Sequence, residues 1–128
     1  MESLEFRFAF HARDFERSIS FYRDLMGLQP VQGWWDRPDG KGALFSAGGT
    51  GVIEIYGAAD SKTYDGGSPE GMNLALRLPN DAAVDDFYGK LVTLGARMVE
   101  APQDRAWGHR SFIVSDPDGI PIHIYCEL

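Results

Sequence analysis

The chain switches between two hydrophobic periods, and it makes the switch twice. In EFRFAF, Phe6, Phe8 and Phe10 alternate with Arg7 and Ala9 and then His11, which predicts a strand with two unlike faces. After Asp14 the spacing becomes helical, with Phe15, Ile19, Tyr22 and Met26 on one stripe. Asp14 is a favoured N-cap, and Gly27 is placed to close the helix. Three strand candidates follow, LQPVQGWW, GALFSA and GVIEIYG, punctuated by the turns RPDGKG and AGGTG. The order then returns. MNLALRL sets Met72, Leu74, Leu76 and Leu78 against Asn73, Ala75 and Arg77. Asn80 precedes a helical stripe of Val84, Phe87, Leu91 and Leu94, and Gly95 ends it. ARMVEA, HRSFIVS and IPIHIYCEL complete the set, with DPDG turning into the last.

The halves also match in letters. FYRDLMGL (21–28) returns as FYGKLVTLGA (87–96), and VIEIYG matches PIHIYC, pairing Glu54 with His123 and Tyr56 with Tyr125. The small and polar segment 58–71, AADSKTYDGGSPEG, is expected to link them. The predicted fold is a single α+β domain over residues 1–128, built of two tandem βαβββ modules at about 4–57 and 72–128. Helices need apolar partners, so the Phe, Leu and Ile faces belong beneath them. Arg7, Glu54, Asn73 and His123, with Ala9, Tyr56, Ala75 and Tyr125, then fall on the other face. A curved mixed sheet with helices outside would turn that face toward a concave cavity.

Composition narrows the partners. A length of 128 residues suits one domain, and 44% hydrophobic with 24% charged residues is ordinary for a soluble globular protein. A net charge of −7 argues against nucleic acid, which needs a basic footprint, and is compatible with a cationic small ligand. No signal peptide or membrane-spanning run is expected, so the expected location is cytoplasmic. The single cysteine, Cys126, excludes an internal disulfide and sits on the Ile face of its strand, where a buried small hydrophobe is expected.

Chemistry concentrates on the cavity-side positions. Arg7 and Glu54 suit an ion pair, extended by Asn73 and His123 as a hydrogen-bond network, and the same four suit direct contact with a ligand. Glu54 with His123 is the candidate general acid/base couple. Trp34, Trp35, Trp107, Tyr56 and Tyr125 supply aromatic walls for a flat organic ligand, although period two lets only one of the adjacent tryptophans line the cavity. AGGTG lacks the lysine and hydroxyl of a phosphate loop, and DPDG and DRPDG lack the further oxygen ligands of a calcium loop, so all three are turns. No serine or cysteine stands in a nucleophile elbow.

The segments RDFERSISFYRDLMGL, VIEIY, DDFYGKLVTLGA and RAWGHRSFIVSDPDGIPIHIY, together with the duplication, resemble the vicinal oxygen chelate superfamily. That superfamily includes glyoxalase I, extradiol dioxygenases, fosfomycin resistance proteins, methylmalonyl-CoA epimerase and bleomycin resistance proteins, and the last are the nearest in pattern. The resemblance covers nearly the whole chain and implies a homodimer. It also implies that a divalent metal, if one were held, would fall at Arg7, Glu54, Asn73 and His123. Of these only Glu54 keeps the expected residue type; arginine repels a cation, and His123 replaces a usual glutamate. His11 shares Arg7's face but stands roughly 13 Å along the strand, too far to serve the same ion. The expectation is therefore a metal-independent binding or sequestration protein of the bleomycin-resistance kind, with a cationic or aromatic small molecule as ligand. The alternative is a divalent-metal enzyme of the glyoxalase, epimerase or dioxygenase kind, with Glu54 and His123 as its ligands.

Overall fold

Asp14 and Asn80 both cap the helices predicted after them. Their side chains accept hydrogen bonds from the backbone of Arg17 at 3.1 Å and Ala83 at 2.9 Å, satisfying donors that the first helical turn leaves open. Helix α1 (Phe15–Ser20) runs on into a π-helical turn at Phe21–Leu25, where Met26 N–H reaches back five residues to Phe21 O. Adjacent Phe21 and Tyr22 of that turn are both buried. Helix α2 (Asp81–Thr93) is regular. Gly27 at φ 70° and Gly95 at φ 79° take the left-handed conformation that ends each helix.

The computed structural model describes residues 1–31, 34–59 and 71–128. They fall into two compact units, 1–67 and 68–128, each with the order strand, helix, three strands. The first holds β1 (Phe6–His11), β2 (Trp35–Arg37), β3 (Gly40–Ser46) and β4 (Gly51–Gly57) in the sheet order β1-β4-β3-β2. The second holds β5 (Leu74–Arg77), β6 (Arg97–Asp104), β7 (His109–Ser115) and β8 (Pro121–Glu127) in the order β5-β8-β7-β6. In each sheet the first strand runs parallel to the last and the remaining pairs are antiparallel. The α+β class and the tandem βαβββ order are as the sequence predicts. Most of the predicted linker, residues 60–70, lies outside the described residues.

Alternation sorts the faces as expected. Ile53 and Ile55 of β4 are buried on the side where α1 packs, while Glu54 and Tyr56 are half-buried on the other. In β8, Ile122, Ile124 and Cys126 are buried on the α2 side, with His123 and Tyr125 half-buried opposite. The first unit's core gathers Ile19, Tyr22, Phe45, Ile53 and Ile55; the second's gathers Val84, Leu91, Phe112, Val114, Ile122 and Ile124.

Two strands differ from expectation. LQPVQGWW is not a continuous strand: Pro30 makes an isolated bridge to Phe45, and β2 begins only at Trp35. Gln29 O accepts from Ser46 N–H and Val31 N–H donates to Leu44 O on either side of that bridge, each at 2.8 Å, so the proline's missing N–H costs no bond to β3. Gln32 and Gly33 of that segment lie outside the described residues. The strand expected at ARMVEA extends to Asp104 and passes through Pro102, with register shifts between Met98 and Glu100 and between Glu100 and Gln103. An edge strand tolerates a proline that a central one would not.

Candidate functional site

The registers of the first sheet align four residues across it on the face away from α1. His11 pairs with Tyr56, Tyr56 with Gly42, and Gly42 with Trp35. In that row Gly42 supplies room. A Cβ on it would stand 1.7 Å from Cζ2 of Trp35, so the indole can lie over the strand only because position 42 carries no side chain. Tyr56 then has an aromatic ring on either side, with centroids at 5.6 Å to His11 and 6.4 Å to Trp35. These rings, with Arg37, Asp39 and Lys41, line a pocket of about 190 Å³ contained wholly in the first unit.

Polar groups adjoin the row. Arg7 Nη1 stands 3.6 Å from Glu54 Oε1, and Arg7 Nε also hydrogen-bonds Glu5. Glu5's hydrogen bond is the main reason that the Arg7 guanidinium is held above its usual pKa, with burial opposing and the charges of Glu5 and Glu54 adding to it. Tyr56 is raised too. Burial is the first cause; the second is the neighbouring Glu54 carboxylate, which accepts from the neutral phenol and repels the phenolate.

The sequence-predicted residues of this unit divide accordingly. Arg7, Glu54, Tyr56 and Trp35 share one face. Trp34 does not join them: its ring meets Phe15 of α1 at 6.4 Å and core Phe45 at 6.0 Å, both edge-on. It is a helix-side residue, as period two requires of one member of the pair.

In the second unit, His123 and Tyr125 share the face away from α2, and Tyr125 stacks with His109 at 4.5 Å and 24°. Ser111 stands beside Tyr125 in register, and its buried hydroxyl accepts from Arg105 Nε at 2.8 Å. Arg105 Nη2 pairs with Glu100 at 2.7 Å. Trp107 lies in the turn between β6 and β7, 67% exposed, with the Arg105 guanidinium 5.9 Å from its ring. Asn73 is exposed immediately before β5.

Sequence reasoning missed His11, Arg37, Asp39, Lys41 and Gly42. His11 carried a usable signal, since it shares the alternation of Arg7 and Ala9. The others belong to a stretch that reads only as a turn and the start of a strand.

Among the described residues of the first unit, the donors do not match a divalent cation. Glu54 is its one acidic candidate from the sequence, and that carboxylate faces a permanent guanidinium charge at 3.6 Å. Among the described residues, no group of three or more His, Cys, Asp or Glu is placed to hold a metal ion.

The family model described as Glyoxalase/Bleomycin resistance protein/Dioxygenase superfamily matches residues 7–124. The chain belongs to that superfamily. Solved structures of superfamily type share its fold across almost the full length. A superfamily member from Sphaerobacter thermophilus is 22% identical, with TM-score 0.75 over 98% of both chains. An antibiotic-binding protein from Streptomyces is 21% identical, with TM-score 0.75 over 99% of this chain and 98% of its own. A lactoylglutathione lyase from Agrobacterium tumefaciens is 20% identical, with TM-score 0.72 over 98% and 95%. At these identities the likeness is one of fold, and this fold carries both binding proteins and enzymes. Among proteins of curated function, none matches the chain. Among the described residues, no helix is long and apolar enough to cross a membrane.

Proposed function

We propose that this superfamily member is a metal-independent small-molecule binding or sequestration protein whose ligand places a planar ring in the first unit's pocket. The observation that carries the reading is the Trp35 indole seated on Gly42 beside Tyr56 and His11. Aromatic surfaces around a concavity with a few polar groups at hand suit a flat organic molecule. The Arg7–Glu54 pair supports a metal-free mode of action, because the carboxylate is already matched by a fixed positive charge. Binding here is a matter of apolar burial and ring contact, with no bond made or broken.

The test is calorimetric titration of planar aromatic compounds into the native protein and Trp35→Leu, alongside metal analysis of protein purified without chelator. At least tenfold weaker binding in Trp35→Leu, with unchanged circular dichroism, is the expected result. Stoichiometric zinc, nickel, manganese or iron that is lost on changing Glu54 or His123 to alanine would sink the reading in favour of a metal-dependent enzyme.

A further inference from the structure

The pocket's own charge differs in sign from the protein's. The chain carries a net −7. Of the pocket's lining residues, Arg37 and Lys41 are cationic and only Asp39 is anionic, which leaves one net positive charge with histidine neutral. Position separates the two cations. Trp35 and Arg37 are alternate residues of β2 and so share its face, about 7 Å apart along the strand. Lys41 pairs with Gly57, one residue out of phase with the Gly42–Tyr56 row, so of the two cations Arg37 is the one that period two places on the face of the rings. Among the described residues, the Arg37 side chain makes no ion pair or hydrogen bond, with Asp39 or any other.

Size sets a second limit. An apolar cavity of about 150 Å³ accepts a benzene ring, so 190 Å³ accommodates one ring or a small fused pair. A ring held at Trp35 and Tyr56 brings a substituent on its long edge toward the Arg37 guanidinium. That planar, permanently charged fork matches a carboxylate in two parallel hydrogen bonds.

We propose that the first unit's pocket binds a planar aromatic acid of one or two rings, with its ring against Trp35 and Tyr56 and its carboxylate on Arg37. The inference rests on the small-molecule reading above and deepens it, replacing the cationic ligand that the net charge suggests with an anionic one.

Three probes of one shape and different charge decide it: 2-naphthoate, 2-naphthamide and 2-naphthamidine, titrated calorimetrically into native protein, Arg37→Met, Lys41→Met and Trp35→Leu. Naphthoate is expected to bind the native protein at least tenfold more tightly than naphthamide, and naphthamidine more weakly than either. Arg37→Met should remove the naphthoate advantage while leaving naphthamide within twofold, and Lys41→Met should reduce that advantage by less than Arg37→Met does. Circular dichroism and thermal melting check that each variant folds. Equal or tighter binding of naphthamidine, or naphthoate binding unchanged in Arg37→Met, overturns the acid assignment while leaving an aromatic pocket in place. If Trp35→Leu weakens none of the three, or none binds, the small-molecule reading of this pocket fails with it.

Discussion

Gly42 and Ser111 hold the same place in the two units, each in register with the tyrosine of its unit's last strand, Tyr56 or Tyr125. Around them the repeat diverges. In the first unit the missing side chain admits the Trp35 indole, and a pocket opens beside it. In the second unit a hydroxyl stands there, and Arg105 closes over it, tied to Ser111 and Glu100. One frame thus supports an aromatic recess in one copy and a polar clamp in the other. Topology places the position; the residue occupying it sets its chemistry.

The turns feeding the last strands differ in the same way. Ala47 N–H bonds Gly51 O in the first unit as Asp116 N–H bonds Ile120 O in the second. The first of these turns relies on Gly48 and Gly49, both at positive φ. The second also has a positive-φ glycine, Gly119, and adds a side chain, the buried Asp116 carboxylate, which accepts from the backbone N–H of Asp118 at 2.9 Å and Ile120 at 2.8 Å. Asp116→Ala should therefore produce the largest loss, about 2–4 kcal/mol in urea unfolding, because two buried donors lose their acceptor. Ala47→Ser should stay within about 0.5 kcal/mol. Similar losses at both sites would break the comparison.

Gly42→Ser makes the first unit resemble the second. Its Cβ would overlap the indole, so Trp35 must move, at about 1–3 kcal/mol of overpacking. Ring binding should fall at least tenfold and the tryptophan emission should shift; an unchanged spectrum and affinity would show that the indole does not depend on the glycine. Arg105→Met tests the other copy, leaving the buried Ser111 hydroxyl without its donor and Glu100 without its cation. Because Glu100 is partly hydrated, the expected cost is roughly 1–2 kcal/mol in denaturant, with ring binding by the first unit unaffected.

The smallest effect concerns the tyrosines' neighbours, Glu54 in one unit and His123 in the other. Tyr56 has its pKa raised above the ordinary 10.0 on folding, by burial first and then by Glu54. The folded chain therefore holds that proton more tightly than the unfolded chain. The resulting stability is fully present below the unfolded value and is lost as pH rises through the folded one. Tyr56→Phe should flatten the alkaline loss of stability above about pH 10, measured as urea midpoints against pH. Identical alkaline slopes would remove Glu54 and burial as influences on this phenol.

The repeat itself was legible because its signals are local. Asp14, Asn80, Gly27 and Gly95 act within one helical turn, and the alternation of Phe6 to His11 or Ile120 to Glu127 needs no distant partner. The pocket was less legible, because its determinants lie across strands. Tyr56 and Trp35 were identifiable one at a time, but that Trp35 rather than Trp34 joins Tyr56 depends on where β2 starts after Pro30. Gly42 carries no chemistry of its own and matters only through the neighbour it admits. The Arg105–Glu100–Ser111 clamp depends on the two register shifts in β6, which strict alternation cannot foresee.

Cys126 adds a practical consequence to the division into two units. It is the chain's single thiol, and it is fully buried on the helix side of β8. A thiol-specific reagent can reach it only when the second unit opens, so the labelling rate is a clock for that unit's local unfolding. Trp34 and Trp35 report on the first unit by fluorescence, through environments that Trp107 does not share. The native sequence thus carries separate probes for asking whether the two copies of the repeat melt together or in turn.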